Sequence, residues 1–130
     1  MPPSSPTRLV VTIAGSDCSG GAGIQADLKT FGVFGVFGAS VITAVTAQNS
    51  QHFYQANVLT PAQFRSQWQA VLEGAPIAAI KLGMLGDQVM AASVAGVLKD
   101  FKADHPAVPI VIDPVLKAST GGDLSGDHTR

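Results

Sequence analysis

The sequence predicts an α/β domain in which helices cover both faces of a mostly parallel sheet. Uncharged segments rich in β-branched residues alternate with amphipathic segments, which favours parallel strands joined by right-handed crossovers. Hydrophobic residues make up 46% of the chain and charged residues only 13%, against about 25% charged in an ordinary soluble domain. The length of 130 residues suits a single domain of this kind.

The first strand is predicted at residues 9–14, a continuous apolar run that Gly15 closes. A helix follows over residues 21–35, because apolar side chains recur there at spacings of four and three. Its apolar stripe consists of Ile24, Leu28 and Phe31. The second strand is predicted at residues 39–47, which are uncharged and rich in β-branched residues. Residues 53–58 are compatible with a further short strand.

The second helix is predicted to begin at Thr60. Thr60 supplies an N-cap hydroxyl, Pro61 fits the first helical position, and Gln63 completes a capping box. The helix ends near Gly74 and Pro76. Its predicted apolar stripe is Phe64, Trp68, Val71 and Leu72.

Three more elements complete the predicted order. They are a strand at residues 77–82, a helix at residues 87–102 and a strand at residues 108–112. The inward side chains expected on the helix are Met90, Val94, Val97, Leu98 and Phe101. Residues 1–8 are expected to be extended or disordered, and residues 9–130 to form the N-terminal portion of one domain.

The composition argues against several classes of protein. Eight Lys and Arg against nine Asp and Glu give a net charge of −1, so no basic excess favours nucleic acid. No run of about 18 apolar residues predicts a membrane span, and the one cysteine, Cys18, excludes an internal disulfide. The first six residues lack the apolar core of a signal peptide, which favours a cytoplasmic protein.

Small and polar residues follow each predicted parallel strand. The four segments are residues 15–23, 48–50, 83–87 and 113–115. Ligands of open α/β sheets bind outside the carboxyl ends of the strands, so this layout predicts a small-molecule cleft. The first segment matches neither the Walker A pattern nor the Gly-x-Gly-x-x-Gly dinucleotide pattern.

Each candidate residue also has an ordinary structural interpretation. Asp27 suits a solvated helix surface, Gln48 and Asn49 suit a turn, and Met84 suits a core position. Asp113 is the strongest single candidate for catalysis or a metal, because an aspartate that closes a buried strand needs a partner. Lys81 interrupts an apolar strand and must either extend to solvent or meet an anion.

Taken together, four segments resemble the hydroxymethylpyrimidine kinase and phosphomethylpyrimidine kinase family of thiamine biosynthesis. They run from Thr12 to Phe31, Ser40 to Asn49, Lys81 to Leu85 and Asp113 to Leu116. The resemblance extends from about residue 9 to residue 124 and covers about the first half of the family's pattern. It implies a ribokinase-like fold.

The resemblance also implies roles for individual residues. Gly15, Asp27, Gln48 and Met84 would contact the aminopyrimidine ring and its hydroxymethyl arm, and the amide of Gln48 offers the donor and acceptor that the ring edge requires. Asp113 would lie near the ATP phosphates, on Mg²⁺ directly or through water. ATP and Mg²⁺ are therefore the implied cofactors, and the aminopyrimidine is the implied partner.

The implied activity is ATP-dependent phosphorylation of 4-amino-5-hydroxymethyl-2-methylpyrimidine and of its monophosphate. The family's anion hole and catalytic base belong to its second half, so no catalytic residue is assigned in this chain, and Cys18 is not the anion-hole cysteine. A pyridoxal-type kinase and a non-catalytic pyrimidine-binding or assembly module remain alternatives. A homo-oligomer, or pairing with the missing half, is expected through the strand that ends at Asp113 and the helix at residues 87–102.

Overall fold

The computed structural model describes residues 8–114, which form a five-stranded sheet and three helices. The strands are β1 (Leu9–Asp17), β2 (Phe37–Gln48), β3 (Phe53–Val58), β4 (Ile77–Leu82) and β5 (Ile110–Ile112). The helices are α1 (Gly23–Val33), α2 (Pro61–Gly74) and α3 (Gln88–Asp104). The strand order is β3-β2-β1-β4-β5, and every pair is parallel except β2 with β3. The predicted fold class is confirmed.

The helices lie on both faces of the sheet. On β1, Thr12 donates a hydrogen bond to Asp27 of α1, so α1 covers the face to which Thr12 points. The next residue, Ile13, points to the other face. There it joins a core cluster with Phe64 of α2 and Met90 of α3. The main core therefore lies between the sheet and the α2–α3 layer.

The predicted apolar stripe of α2 is wrong at one position. Phe64 and Trp68 are buried and Val71 is partly buried against them, but Leu72 is 37% exposed. Because each helical residue advances about 100°, Leu72 lies about 80° away from Phe64 around the axis. Leu72 therefore turns away from the sheet that the other three side chains face.

Other predicted boundaries shift by one to three residues. Helix α1 begins at Gly23 rather than residue 21, and α3 extends to Asp104. The predicted first residue of α3, Asp87, is its N-cap and accepts a hydrogen bond from the Met90 amide at 2.7 Å. Strand β5 begins at Ile110 rather than residue 108, because its pairing with β4 starts only there.

The turn between β2 and β3 is built by Asn49. Its Oδ1 accepts hydrogen bonds from the amides of Gln51 at 2.9 Å and His52 at 2.8 Å. This Asx turn reverses the chain, so the allowed strand at residues 53–58 pairs antiparallel with the end of β2. The turn-forming interpretation of this segment is thus correct for Asn49.

The capping box at the start of α2 is present as predicted. Thr60 Oγ1 accepts from the Gln63 amide at 3.2 Å, and Gln63 Oε1 accepts from the Thr60 amide at 2.9 Å. We expect Thr60→Ala to lower the free energy of unfolding by about 1 kcal/mol, measured by urea denaturation. Ser66→Ala, which removes a hydroxyl that bonds only the carbonyl of Ala62 within its own helix, is the control and should change stability less.

Candidate active site

The order in which strands are added to the sheet reverses at β1, which lies between β2 and β4. From β1 the chain passes through α1 to β2 on one side, and it later reaches β4 on the other side through α2. A crevice forms at the carboxyl ends of strands where such a reversal occurs. The residues that end β1 and follow β4 therefore define the place where a ligand would bind.

Gly15 and Met84 come together at this crevice. A Cβ atom added to Gly15 would lie 3.0 Å from Met84 Sδ and 3.6 Å from the carbonyl oxygen of Ala44. Met84 is buried and packs on Ala44, with Phe53 and Ala56 of β3 partly buried beside them. The absence of a side chain at Gly15 thus leaves room for the methionine sulfur to form part of the floor of the crevice.

Asp17 organises the glycine-rich loop between β1 and α1. Its side chain is only 3% exposed. One carboxylate oxygen accepts from the Ser19 amide at 2.9 Å and the Ser19 hydroxyl at 2.7 Å, and the other accepts from the Ala22 amide at 2.8 Å. The protein's own carboxylate therefore takes up the loop amides that a phosphate would otherwise use.

The hydrogen bonds to Asp17 control its ionisation. Burial opposes the charged form and by itself would raise the pKa of the carboxyl. The Ser19 hydroxyl and the amides of Ser19, Ala22 and Gly21 outweigh that effect and lower the pKa below its ordinary value of 3.8. Asp17 was not among the predicted site residues, although an aspartate followed two residues later by serine is a known turn signal.

Through Asp17, the free energy of unfolding should depend on pH. Its pKa is lower in the folded chain, so its contribution is complete above the unfolded value of 3.8 and is lost as the pH falls through the folded pKa. We expect Asp17→Asn to reduce the free energy of unfolding by about 1–2 kcal/mol at pH 7, with the deficit shrinking below pH 4. Urea denaturation between pH 7 and pH 3 measures this. The exposed Asp100→Asn is the control, and a deficit that does not change with pH would contradict the expectation.

Gln48 ends β2 beside this loop. Its Nε2 donates to Thr46 Oγ1 at 2.8 Å, and that hydroxyl donates to the carbonyl of Ser16 at 2.8 Å. The thiol of Cys18 donates to the Gln48 carbonyl at 3.3 Å. Within the described residues, Oε1 of Gln48 accepts no hydrogen bond. The side chain is therefore held at one end and offers an acceptor at the other.

Asp27 lies away from that cluster. Its carboxylate accepts from Thr12 Oγ1 at 2.6 Å and from Lys81 Nζ at 2.8 and 3.1 Å. Gly15 is three residues beyond Thr12 on β1, so the Cβ position at Gly15 faces the opposite side of the sheet. The interpretation of Lys81 as meeting an anion is confirmed, while a contact between Asp27 and a ligand stays a prediction.

Asp113 follows β5 at the same end of the sheet. Its amide donates to the carbonyl of Leu82 at 2.9 Å, and its side chain is exposed. Within residues 8–114, β5 is an edge strand whose Val111 and Ile112 are exposed. For this part of the chain, the expectation that Asp113 closes a buried strand is wrong. The predicted role of Asp113 in binding phosphate or metal therefore rests on its position and its carboxylate chemistry, and burial adds nothing to it.

Residues 8–114 hold neither a metal cluster nor a membrane-spanning helix. No three His, Cys, Asp or Glu side chains are grouped there in a way that could hold a metal ion. No helix in this part of the chain has the length and apolar character needed to cross a membrane.

Known structures share this architecture. The phosphomethylpyrimidine kinase of Clostridium difficile superposes with a TM-score of 0.81 and 40% identity over 93% of this chain and 51% of that one. A Staphylococcus aureus pyridoxal kinase in complex with AMP-PCP and pyridoxal superposes with a TM-score of 0.70 and 33% identity, over 88% of this chain and 41% of that one. The fold is therefore the ribokinase-like fold of small-molecule kinases.

The sequence comparisons define the family. The profile described as Phosphomethylpyrimidine kinase matches residues 17–130. The hydroxymethylpyrimidine/phosphomethylpyrimidine kinase of Haemophilus influenzae is 48% identical over 120 residues, which are 92% of this chain and 43% of that protein. This chain belongs to the phosphomethylpyrimidine kinase family, and it spans about half the length of the relatives it matches.

Proposed function

We propose that this protein phosphorylates 4-amino-5-hydroxymethyl-2-methylpyrimidine and then its monophosphate at the expense of ATP, a reaction of thiamine biosynthesis. The 130 residues of this chain would carry the pyrimidine-binding half of that kinase. The observation that supports this best is the meeting of Gly15 and Met84 at the strand ends, where Met84 Sδ lies 3.0 Å from the position of an added Cβ on Gly15.

The chemistry of the crevice suits an aminopyrimidine. We place the flat ring at the strand ends beside Gly15 and Met84, whose side chain packs on Ala44. The acceptor of Gln48 would take a hydrogen bond from the exocyclic amine, and the second hydrogen of its amide would reach a ring nitrogen. Asp27 belongs to the proposal through the family resemblance alone, because its carboxylate binds Thr12 and Lys81 on the face of the sheet opposite to Gly15.

The nucleotide belongs to the same proposal. Asp113 presents an exposed carboxylate at the carboxyl end of β5. This fits a Mg²⁺ ion that has one protein ligand and is otherwise bound by phosphates and water, and such an ion would neutralise charge on the phosphates. The anion hole and general base would come from the other half of the kinase. The 130-residue chain by itself should therefore transfer no measurable phosphate.

The test is the affinity for the pyrimidine. Gln48→Ala should weaken binding of 4-amino-5-hydroxymethyl-2-methylpyrimidine by about 1–3 kcal/mol, because a ring edge in the crevice loses its partner. Isothermal titration calorimetry of the purified protein measures the effect. Gln55→Ala removes the same kind of side chain from an exposed position on β3 and serves as the control. Equal affinities for wild type and Gln48→Ala would remove Gln48 from the site.

The second candidate function is phosphorylation of pyridoxal. It is favoured by the similarity to the pyridoxal kinase that was solved with pyridoxal and AMP-PCP. Titration with pyridoxal under the same conditions separates the two, since tighter binding of the aminopyrimidine supports the first function and tighter binding of pyridoxal the second. If neither binds, the non-catalytic assembly module becomes the better interpretation.

Two further properties are part of the proposal. The exposed edge of β5, with Val111 and Ile112 exposed by 61% and 68%, would be continued by strands from the other half of the kinase. The cytoplasmic location and the lack of nucleic-acid or membrane partners stay predictions from composition and charge.

A further inference from the structure

Thr46 is a buried threonine that lies two residues before Gln48 on β2. It is 3% exposed, and its Oγ1 lies 2.8 Å from Gln48 Nε2. Burial of a hydroxyl costs free energy unless hydrogen bonds replace its contacts with water. Valine has nearly the same shape and would fill this position without a polar group. The role of the hydroxyl therefore lies in its hydrogen bonds.

The hydroxyl of Thr46 can point in one direction only. Its Oγ1 lies 2.8 Å from the carbonyl oxygen of Ser16. A carbonyl oxygen only accepts hydrogen bonds, so the single hydrogen of the hydroxyl must point to Ser16. Toward Gln48 the hydroxyl has only lone pairs left, and there it can only accept. The nitrogen end of the Gln48 amide, and not its oxygen end, must therefore face Thr46.

The end of β1 that orients Thr46 is itself held by α1. Gln25 of α1 donates its Nε2 to Ser16 Oγ at 2.7 Å. The Oε1 of the same side chain accepts from the amide of Asp17 at 2.8 Å. The carbonyl of Ser16 therefore belongs to a segment that is tied to the helix at two neighbouring residues, which keeps the acceptor for the Thr46 hydroxyl in place.

The backbone around Gln48 is also fixed. Its carbonyl accepts from the Cys18 thiol at 3.3 Å, and the residue pairs with Phe53 of β3. The next amide, that of Asn49, donates to the carbonyl of His52 at 2.9 Å. The last torsion of a glutamine has two nearly equivalent settings, which exchange the donor and the acceptor. The hydrogen bond to Thr46 selects one of these two settings.

We propose that Thr46 is a positioning residue that sets the specificity of the site, because it fixes which end of the Gln48 amide meets the ring. This inference rests on the proposed function. With its nitrogen on Thr46, Gln48 presents Oε1 as an acceptor and its remaining N–H as a donor. A ring amine beside a bare ring nitrogen complements that pair, whereas a ring carbonyl beside a ring N–H presents the opposite pair. The site therefore selects 4-amino rings over 4-oxo rings.

Replacement of Thr46 by valine should release this selection. Valine offers Gln48 neither a donor nor an acceptor, so the two settings of the amide become similar in free energy. If half of the molecules then hold the competent setting, the affinity for the aminopyrimidine falls only about twofold. The amide can also turn to suit a 4-oxo ring, so the penalty for unpaired groups that opposes that ring is removed. The ratio of the two affinities should therefore change far more than the affinity for the aminopyrimidine.

Nuclear magnetic resonance of the wild type without ligand tests the orientation of the amide. The side-chain amide hydrogens of Gln48 should show nuclear Overhauser contacts to Thr46, and the Thr46 hydroxyl hydrogen should exchange slowly with water. This measurement needs no variant, so it decides the orientation even if Thr46→Val does not fold. A folded wild type in which these contacts are missing would overturn the proposal, whatever ring it binds.

Calorimetric titration with 4-amino-5-hydroxymethyl-2-methylpyrimidine and with its 4-oxo counterpart tests the specificity. The wild type should prefer the amine by at least about tenfold, and Thr46→Val should lower that ratio to about threefold or less. Thr46→Ser, which keeps the hydroxyl, should restore the ratio. Thr30→Val removes a hydroxyl that bonds the Ala26 carbonyl within α1 and should leave the ratio unchanged.

Two results of this titration would overturn different statements. If Thr46→Val weakens both rings equally, the ratio is unchanged, the role of Thr46 is only structural, and the proposal for Thr46 is wrong while the proposed function stands. The same holds for a wild type that binds both rings equally well. If the wild type binds neither ring, the proposed function has failed, and the specificity assigned to Thr46 fails with it.

Discussion

Gly23→Ala should lower the free energy of unfolding by about 3 kcal/mol or more. Gly23 has a φ of 58°, a left-handed conformation that costs a residue with a Cβ about 1–2 kcal/mol. The new Cβ would also lie 2.3 Å from the carbonyl oxygen of Gly15 and 3.2 Å from the amide nitrogen of Asp17. Relief of this contact has to displace backbone of the crevice itself, which adds roughly another 1–3 kcal/mol.

Urea denaturation followed by circular dichroism measures this loss. Gly32→Ala is the matched control, because Gly32 lies in the same helix with nothing within 4 Å of its added Cβ. That control should stabilise the chain by about 0.5–1 kcal/mol through helix propensity. If the two variants proved equally stable, the close approach of α1 to Gly15 would not hold in solution. Pyrimidine affinity should also fall in Gly23→Ala, since Gly15 moves with the contact.

Lys81→Met should lower the free energy of unfolding by about 2 kcal/mol. The side chains of Lys81 and Asp27 are 22% and 17% exposed, and the ammonium lies 2.8 Å from the carboxylate. Among the described residues, removal of the lysine leaves the Thr12 hydroxyl as the only partner of Asp27. A charge left without its partner in a fully buried site costs about 3–5 kcal/mol, and residual contact with solvent reduces that figure here.

A double-mutant cycle separates the interaction energy between Lys81 and Asp27 from the contribution that each residue makes by itself. Asp27→Leu combined with Lys81→Met should be more stable than the sum of the single losses predicts, with a coupling of at least about 1 kcal/mol. Lys99→Met changes an exposed lysine of α3 and should alter stability by no more than about 0.5 kcal/mol. Additive losses in the cycle would show that the ion pair contributes nothing to folding. The free energies come from urea denaturation at pH 7.

Local signals in the sequence were sufficient for the order of the elements. The capping box at Thr60 and Gln63 fixes the start of α2 because both hydrogen bonds join residues three apart. Helical spacing likewise found the buried positions of α3, where Met90, Val94, Leu98 and Phe101 face the core. The predicted strands, which are uncharged apart from Lys81, favoured parallel pairing, since both faces of such a strand must be covered. The family resemblance then added a candidate site that spacing could not supply.

The tertiary structure alone decided which polar residues meet. Lys81 and Asp27 are 54 positions apart, and their contact depends on the register of β4 beside β1, which pairs Lys81 with Thr12. Asp113 could not be recognised as exposed, because burial of β5 depends on which strand occupies the edge of the sheet. Periodicity fixes which face of its own element a side chain occupies, whereas the partner on another element depends on the packing of the whole sheet.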